Sequence, residues 1–165
     1  MTRFFDLDEA NAALPEVRTI LESLRDEKHE LVQLRDEILG LERAAEARSD
    51  APAEASVGGA GRAPEPVDAP EPDGDSPDEA ARAAHLRRVL RLRMQGVIDR
   101  MQAGVARIDE LGVTLREIDT GLIDFPALAS GRQIWLCWRL GEGDIEFWHE
   151  LADGFGGRQA LVDLT

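Results

Sequence analysis

The sequence predicts an α+β protein, in which a long antiparallel two-helix, coiled-coil-like hairpin precedes a small, mainly antiparallel C-terminal β-sheet. Two long stretches repeat apolar residues every three or four positions, which is typical of helices that bury one face. A stretch rich in Ala, Pro, Gly and acidic residues separates them, and the apolar spacing changes to two after Gly112. These changes divide the chain into residues 1–47, 48–78, 79–112 and 113–165.

The first segment, residues 1–47, predicts a short N-terminal strand and the first long helix. Residues 3–5 are bulky and suit an edge strand, and Asp6 precedes Glu9 by three positions, as in a capping box. Because Pro15 breaks a helix interior but fits a first turn, we expect a short helix to about Ala13 and a long helix from Pro15 to about residue 47. One seam of the long helix collects Val17, Ile20, Leu24, Leu31, Leu34, Ile38 and Leu41.

The next two segments predict the connection and the second arm of the hairpin. Residues 48–78 contain almost no large apolar side chain, so burial could not offset the entropy lost on ordering them, and we expect a disordered linker. Residues 79–112 predict the second helix, which Gly112 ends as a C-terminal cap and in which Gly104 departs from the seam. That seam collects Leu90, Met94, Val97, Met101, Ile108 and Leu111.

The last segment, residues 113–165, predicts a Trp-rich β module. Strands are expected at residues 113–118, 122–126, 133–140 and 145–150, with a turn at Ser130-Gly131. A four-residue loop over residues 141–144 would place Trp138 opposite Phe147 and Cys137 opposite Trp148. In that register one buried face collects Ile134, Leu136, Trp138, Leu140, Ile145 and Phe147.

The charge of the chain argues against two classes of partner. Lys and Arg total 19 against 33 Asp and Glu, which gives a formal net charge of −14. Such a field repels phosphate backbones and anionic lipids, so nucleic-acid or membrane-surface binding is disfavoured, and no apolar run approaches the roughly 20 residues that cross a bilayer. The only cysteine, Cys137, cannot form an internal disulfide, and the chain starts without a signal-peptide pattern, so we expect a cytoplasmic location.

Polar residues of the β module are the candidates for a functional site. We expect a ligand-binding pocket formed by Asp119, Asp124, Glu142, His149, Asp153 and Arg158. His149 with Asp124 and Asp153 would suit a divalent metal ion, although no HExxH or CxxC spacing is present. The simpler alternative for His149 is a structural hydrogen bond to Asp119, Asp124 or a backbone carbonyl.

The glycine-rich run 153–158 leaves two roles open for Arg158. The run could form a nest of backbone N–H groups in which Arg158 binds an anion. Alternatively, the glycines let the chain turn over the sheet while Arg158 pairs with Asp119 or Asp124. Cys137 is expected to be a small packing residue rather than a nucleophile.

Several motifs resemble the bacterial and archaeal family known as domain of unknown function 2203. They are Asp8-Glu9-Ala10-Asn11 with Leu14-Pro15, Asp119-Thr120-Gly121-Leu122-Ile123-Asp124-Phe125-Pro126, Leu136-Cys137-Trp138-Arg139-Leu140-Gly141-Glu142, Trp148-His149-Glu150, and Asp153-Gly154-Phe155 with Gly157-Arg158. The resemblance spans nearly the whole chain except the linker, a long insertion that departs from the family's pattern. It implies no activity and supplies no catalytic residue.

These observations favour a non-enzymatic interaction or small-ligand-binding protein with a polar pocket in the β module. The alternative is a metal-dependent, hydrolase-like enzyme that uses His149 and nearby carboxylates. A scaffold whose polar groups all pair with one another is a third class. We also expect a homodimer, and the long hairpin could contact a protein partner.

Overall fold

The computed structural model describes residues 3–49 and 77–164 and confirms the α+β class. Two long helices, α1 (Leu7–Ser49) and α2 (Pro77–Glu110), pack against each other and precede a five-stranded antiparallel sheet. The strands are β1 (Thr114–Glu117), β2 (Leu122–Ala129), β3 (Arg132–Arg139), β4 (Phe147–Glu150) and β5 (Gln159–Ala160). Short 3₁₀ helices cover Phe155–Gly157 and Leu161–Asp163. Most of the predicted linker, residues 50–76, lies outside the described residues, and its two ends are helical.

The chain divides into two compact units. Of the described residues, the first unit contains 3–32 and 95–164, and the second contains 33–49 and 77–94. In the first unit, Arg107 pairs with Glu16 and Arg100 pairs with Glu27, so the start of α1 lies beside the end of α2 and the helices are antiparallel. In the second unit, Leu34, Ile38 and Leu90 are buried, and Arg91 pairs with Glu42.

The start of α1 confirms the predicted cap but not the predicted break. The backbone N–H of Glu9 donates to Asp6, and the N–H of Asp6 donates to Glu9, which is a reciprocal capping box. The prediction of a short helix to Ala13 followed by a separate helix from Pro15 is wrong, because one continuous helix includes Pro15. Pro15 is exposed, whereas the neighbouring Leu14 and Val17 are buried, so packing outweighs the roughly 3 kcal/mol cost of an interior proline.

The end of α2 confirms the predicted cap at Gly112. Gly112 has φ +79°, its N–H donates to the carbonyl of Asp109, and the N–H of Val113 donates to the carbonyl of Ile108. These two bonds form a Schellman motif, for which a glycine at the left-handed position is favoured. The cap turns the chain directly into β1.

The sheet is a meander in the order β1 to β5. Ser130 and Gly131 both have positive φ and form the two-residue turn between β2 and β3, as predicted. The predicted strand at residues 3–5 reduces to one parallel bridge, in which the N–H of Phe5 donates to the carbonyl of Pro126.

The predicted register of β3 and β4 was wrong by one residue. Leu136 lies opposite Trp148 and Cys137 lies opposite Phe147. The connection is not a tight four-residue loop, because the N–H of Ile145 donates to the side chain of Asn11 in α1 at 2.8 Å instead of joining the ladder. The shift buries Trp148 with Leu136 and moves Phe147 to the other face.

The two faces of the sheet have different partners. The inner face packs on α1 and α2 of the first unit and forms the core, which includes Ala10, Leu14, Val17, Leu21, Ile108, Ile123, Phe125, Leu136, Trp138 and Trp148. The outer face is defined by the alternate side chains of β2, β3 and β4, which are Asp124, Trp135, Cys137, Phe147 and His149. Neither helix has, within its described residues, the length and apolar composition that crossing a membrane requires.

Candidate functional site

Asp124, Cys137 and His149 meet on the outer face of the sheet. Asp124 in β2 lies directly opposite Cys137 in β3, and His149 in β4 approaches both from the next strand. The exposed fractions are 1% for Asp124, 1% for Cys137 and 2% for His149. One oxygen, nitrogen or sulfur atom from each side chain lies within 4.8 Å of the other two. Such a buried set of potential ligands is uncommon without a structural or chemical role.

One carboxylate oxygen of Asp124 makes two contacts, and the other makes no hydrogen bond to any described residue. Its Oδ2 accepts from Nε of Arg116 at 2.6 Å and lies 3.2 Å from Nε2 of His149. Its Oδ1 is buried and has no hydrogen-bond partner in the described part of the chain. A buried carboxylate oxygen is costly to leave unpaired, so Oδ1 is suited to accept from a donor or to bind a cation.

The ring of His149 is oriented by the backbone. Nδ1 lies 2.8 Å from the carbonyl oxygen of Glu150, which can only accept, so Nδ1 has the hydrogen. In the neutral ring Nε2 then presents a lone pair toward Asp124 Oδ2. That contact is favourable if the ring is an imidazolium or if a cation lies between the two atoms. Metal-bound histidines commonly have this arrangement, with the distal N–H held by a carbonyl.

Asp124, His149 and Cys137 form a triangle of potential ligands, and Cys137 contributes a thiol to it. Burial raises the pKa of Cys137 to about 12, and the negative charge of Asp124 adds to the rise. The thiol therefore keeps its proton at neutral pH unless a metal ion replaces it. A reactive nucleophile needs the opposite environment, so Cys137 is suited to packing or to metal binding.

A cavity of about 270 Å³ lies over this triangle. Asp124, Cys137 and His149 contribute to its lining, as does Arg116. The segment after β4 supplies another wall through residues 151–155, and Asp153 belongs to that wall with an exposed side chain. The cavity thus gives the buried polar atoms access to a small molecule.

Arg116 reaches this site because β1 is irregular. The register between β1 and β2 shifts between Leu115 and Glu117, which leaves Arg116 at a bulge. Its guanidinium lies 4.9 Å from the centre of the Trp135 ring, and its side chain is 41% exposed. Arg116 is therefore oriented by a charge pair on one side and an aromatic ring on the other.

Glu142 and Arg158 form a separate clamp beside the triangle. Arg158 donates two hydrogen bonds to Glu142 at 2.8 and 2.7 Å and one to the carbonyl of Cys137 at 3.3 Å. Its guanidinium also lies 4.2 Å from the Phe147 ring and 4.8 Å from the Phe155 ring. The clamp holds the segment after β4 against the outer face of the sheet, and this segment includes the cavity wall formed by residues 151–155.

The clamp perturbs both of its charged groups. Burial alone would raise the pKa of Glu142, but hydrogen bonds from Arg158 and from the backbone of Arg139 hold it below the ordinary value. Burial likewise opposes the charge on Arg158, yet the bond to Glu142 raises the pKa of its guanidinium. The opposite directions are those of a stable ion pair.

The six predicted ligand-binding residues therefore occupy three places. Asp124, His149 and Asp153 line the cavity, and Glu142 and Arg158 form the adjacent clamp. Asp119 is exposed and pairs with Lys28 of α1, away from the cavity lining. Arg158 accordingly pairs with neither Asp119 nor Asp124, the two partners expected in a structural role.

Comparison with known proteins identifies the family. A family model described as "Uncharacterized conserved protein (DUF2203)" matches residues 3–161. The chain belongs to this family. No curated protein and no solved structure matches it. Since the description of DUF2203 gives no activity, any function must be argued from the site itself.

Sequence reasoning missed Cys137 and Arg116 as members of the site. The Ser130-Gly131 turn could have identified Cys137, because a two-residue loop pairs Ala129 with Arg132 and hence Asp124 with Cys137. Arg116 gave no comparable signal, since its position depends on an irregularity in β1.

Proposed function

We propose that this DUF2203 protein is a small-ligand-binding protein whose outer-face pocket contains a zinc-type metal centre. Asp124, Cys137 and His149 would hold the ion, and Asp153 at the cavity wall would not be a ligand in this arrangement. Thiolate, imidazole and carboxylate together suit zinc better than Mg²⁺ or Ca²⁺, which prefer all-oxygen sites.

The single observation that supports this proposal is the joint orientation of His149 and Asp124. In the neutral ring, the Glu150 carbonyl holds the hydrogen on Nδ1 and leaves Nε2 as a lone pair, and the buried Oδ1 of Asp124 has no partner among the described residues. An ion bound at ordinary zinc distances would bring the ligand atoms to about 3.5 Å from one another. The present separations are all within 4.8 Å, and Nε2 of His149 already lies 3.2 Å from Oδ2 of Asp124, so the closure needed is at most about 1.3 Å.

Three protein ligands leave a coordination position vacant. In structural zinc sites four protein ligands close the shell, whereas three ligands leave a place for water or a small molecule. The cavity of about 270 Å³ over the triangle supplies the space for that molecule. This is the reason to propose ligand binding rather than a purely structural ion.

Metal analysis tests the proposal directly. Protein purified without chelators should contain about one zinc per chain, and chelation followed by zinc addition should raise the melting temperature. Saturation at 100 times the dissociation constant corresponds to about 2.7 kcal/mol of stabilisation. Cys137→Ser and Asp124→Asn should lose the ion, whereas His29→Ala and His85→Ala, on exposed helix positions, should retain it.

Cobalt substitution separates loss of ligation from loss of folding. Co²⁺ bound to the thiolate of Cys137 gives a near-ultraviolet charge-transfer band, which Cys137→Ser should abolish while its circular dichroism stays native. If wild-type protein binds neither zinc nor cobalt, the metal proposal fails, and the three residues form a structural hydrogen-bond network.

A metal-dependent hydrolase is the second candidate, and the position of Asp153 favours it. Its carboxylate lines the same cavity as the proposed metal ligands and could accept a proton from a metal-bound water. Zinc-dependent hydrolysis of 4-nitrophenyl acetate that falls at least tenfold in Asp153→Asn, with zinc content unchanged, would support this candidate. Equal rates would leave ligand binding as the function.

We also propose that the second unit mediates homodimer formation. Leu86, Val89 and Leu92 of α2 are 46%, 44% and 70% exposed, and Leu92 is the most exposed of the three. Basic residues of α2 could pair with acidic residues of α1 in an antiparallel second copy. Sedimentation should show a dimer at micromolar concentration that Leu92→Glu dissociates and Val162→Glu, at a 90% exposed position, does not. A monomeric wild-type protein would contradict this.

A cytoplasmic location agrees with the proposed site. A reducing compartment keeps the Cys137 thiol available for a metal ion.

A further inference from the structure

The pocket over the proposed metal centre has one polar end and one apolar wall. The polar end contains Asp124, Cys137, His149 and Arg116. The wall contains Leu122, Leu151, Ala152 and Phe155. Leu122 and Phe155 also line a neighbouring cavity of about 140 Å³, so the apolar surface continues beyond the first cavity. A ligand that fits both parts has a polar head and a compact apolar body.

Arg116 determines the charge of the head that the pocket accepts. Only its Nε is bound to Asp124, and its two terminal amino groups have no hydrogen-bond partner within the described residues. The guanidinium carbon lies 4.9 Å from the centre of the Trp135 ring, and the Arg116 side chain lines the cavity. A planar guanidinium with two vacant donors is suited to a carboxylate, which accepts both hydrogen bonds in one plane.

The sum of charges at the proposed metal centre also favours a ligand with a carboxylate. A zinc ion with one thiolate and one carboxylate is formally neutral, and Arg116 then leaves one positive charge at the polar end. Asp153 is the acidic group on the facing wall, but its side chain is exposed, so water and salt screen it. An anionic head is therefore favoured over a neutral or cationic one.

We infer that the pocket binds a small carboxylic acid with a compact apolar body, whose carboxylate lies between the metal ion and Arg116 and whose body contacts Leu122 and Phe155. This inference rests on the proposed metal centre. A cavity of about 270 Å³ has the volume of at least on the order of nine water molecules, so it has room for a ligand of about the size of benzoate.

Calorimetry with benzoate and benzamide tests the inference on the zinc-loaded full chain. The two probes share ring and size, but only benzoate has a negative head. Benzoate should bind at least about tenfold more tightly than benzamide, since hydrogen bonds to charged groups distinguish ligands by that factor or more. Removal of zinc from the wild-type protein should weaken benzoate binding at least tenfold, and this comparison requires no variant.

Two arginine variants locate the carboxylate. Arg116→Gln should reduce the preference for benzoate to less than about threefold while one zinc per chain is retained. Arg132→Gln is the matched control, because Arg132 also lies over a Trp ring and pairs with a carboxylate but does not line the cavity. In the cobalt-loaded protein, benzoate should change the visible absorption and benzamide should not.

The possible failures are distinguishable. If zinc binds but benzoate and benzamide bind alike, or if the cobalt spectrum ignores benzoate, the carboxylate inference is wrong and the metal proposal stands. If no zinc or cobalt binds, the metal proposal is wrong and this inference falls with it.

Discussion

Replacing Arg158 with methionine should destabilise the β module by about 3 kcal/mol. The substitution removes two hydrogen bonds to Glu142 and leaves that carboxylate largely buried without its partner, which accounts for about 2 kcal/mol. Loss of the cation over the Phe147 and Phe155 rings adds about 1 kcal/mol, while the methionine side chain preserves most of the packing. The corresponding decrease in melting temperature is about 6 to 12 °C.

Urea denaturation followed by Trp fluorescence is the appropriate assay, because all three Trp residues lie in the β module. A double-mutant cycle of Arg158→Met with Glu142→Gln should give a coupling free energy of about 2 kcal/mol. Arg139→Met is the matched control: Arg139 lies 3.9 Å from Glu142 with a half-exposed side chain, so its loss should cost less than about 1 kcal/mol.

Two results would refute this reasoning about the clamp. One is a coupling free energy below about 0.5 kcal/mol. The other is an Arg139→Met variant that is destabilised as much as Arg158→Met. Either result would mean that the tail is fixed by apolar packing and not by the ion pair.

Three further predictions concern acid stability and glycine positions. Because the pKa of Glu142 is lower in the folded chain than its ordinary value of 4.5, the stabilisation is complete above that value and is lost as pH falls through the folded pKa. Urea midpoints below pH 4.5 should therefore fall more steeply in wild type than in Glu142→Gln, and parallel curves would contradict this. Gly104→Ala should cost about 1 kcal/mol, since its Cβ would lie 2.9 Å from a buried Leu side chain, whereas Gly96→Ala in the same helix should stabilise by about 0.5 to 1 kcal/mol in thermal unfolding. Gly121→Ala should cost at least about 2 kcal/mol more than Gly131→Ala by the same measurement. Both glycines have positive φ, but only at Gly121 would the added Cβ lie 2.5 Å from Leu140. Equal losses would show that the backbone conformation alone determines the cost of the substitution.

The local features of this fold could be predicted because they depend on residues close in sequence. The capping box at Asp6, the Schellman cap at Gly112 and the Ser130-Gly131 turn each involve a few neighbouring positions. The helical period likewise identified both arms of the hairpin. The break at Pro15 was wrong because burial of its neighbours outweighs a local preference.

The candidate site was only partly predictable. Asp124 and His149 were expected together, and the β2–β3 turn already implies that Asp124 faces Cys137. The approach of Arg116 depends on a bulge, and no sequence pattern at that position indicates one. Asp119 was expected in the pocket because it lies near Asp124 in the sequence. In the structure its carboxylate pairs with Lys28 of α1 instead.

The sequence by itself determined the α+β class, the helix caps, the approximate positions of the first four strands and the polar residues available for chemistry, but it did not indicate β5. Only the tertiary structure decided which of these residues meet. One such long-range contact is between Asn11 and the N–H of Ile145, 134 positions apart, and it accompanies the one-residue difference between the predicted and the observed register of β4. Because side chains alternate across a strand, that change places His149 on the outer face with Asp124 and Cys137. Periodicity reports which residues share a face within one element, but long-range hydrogen bonds determine how one element is aligned with the next.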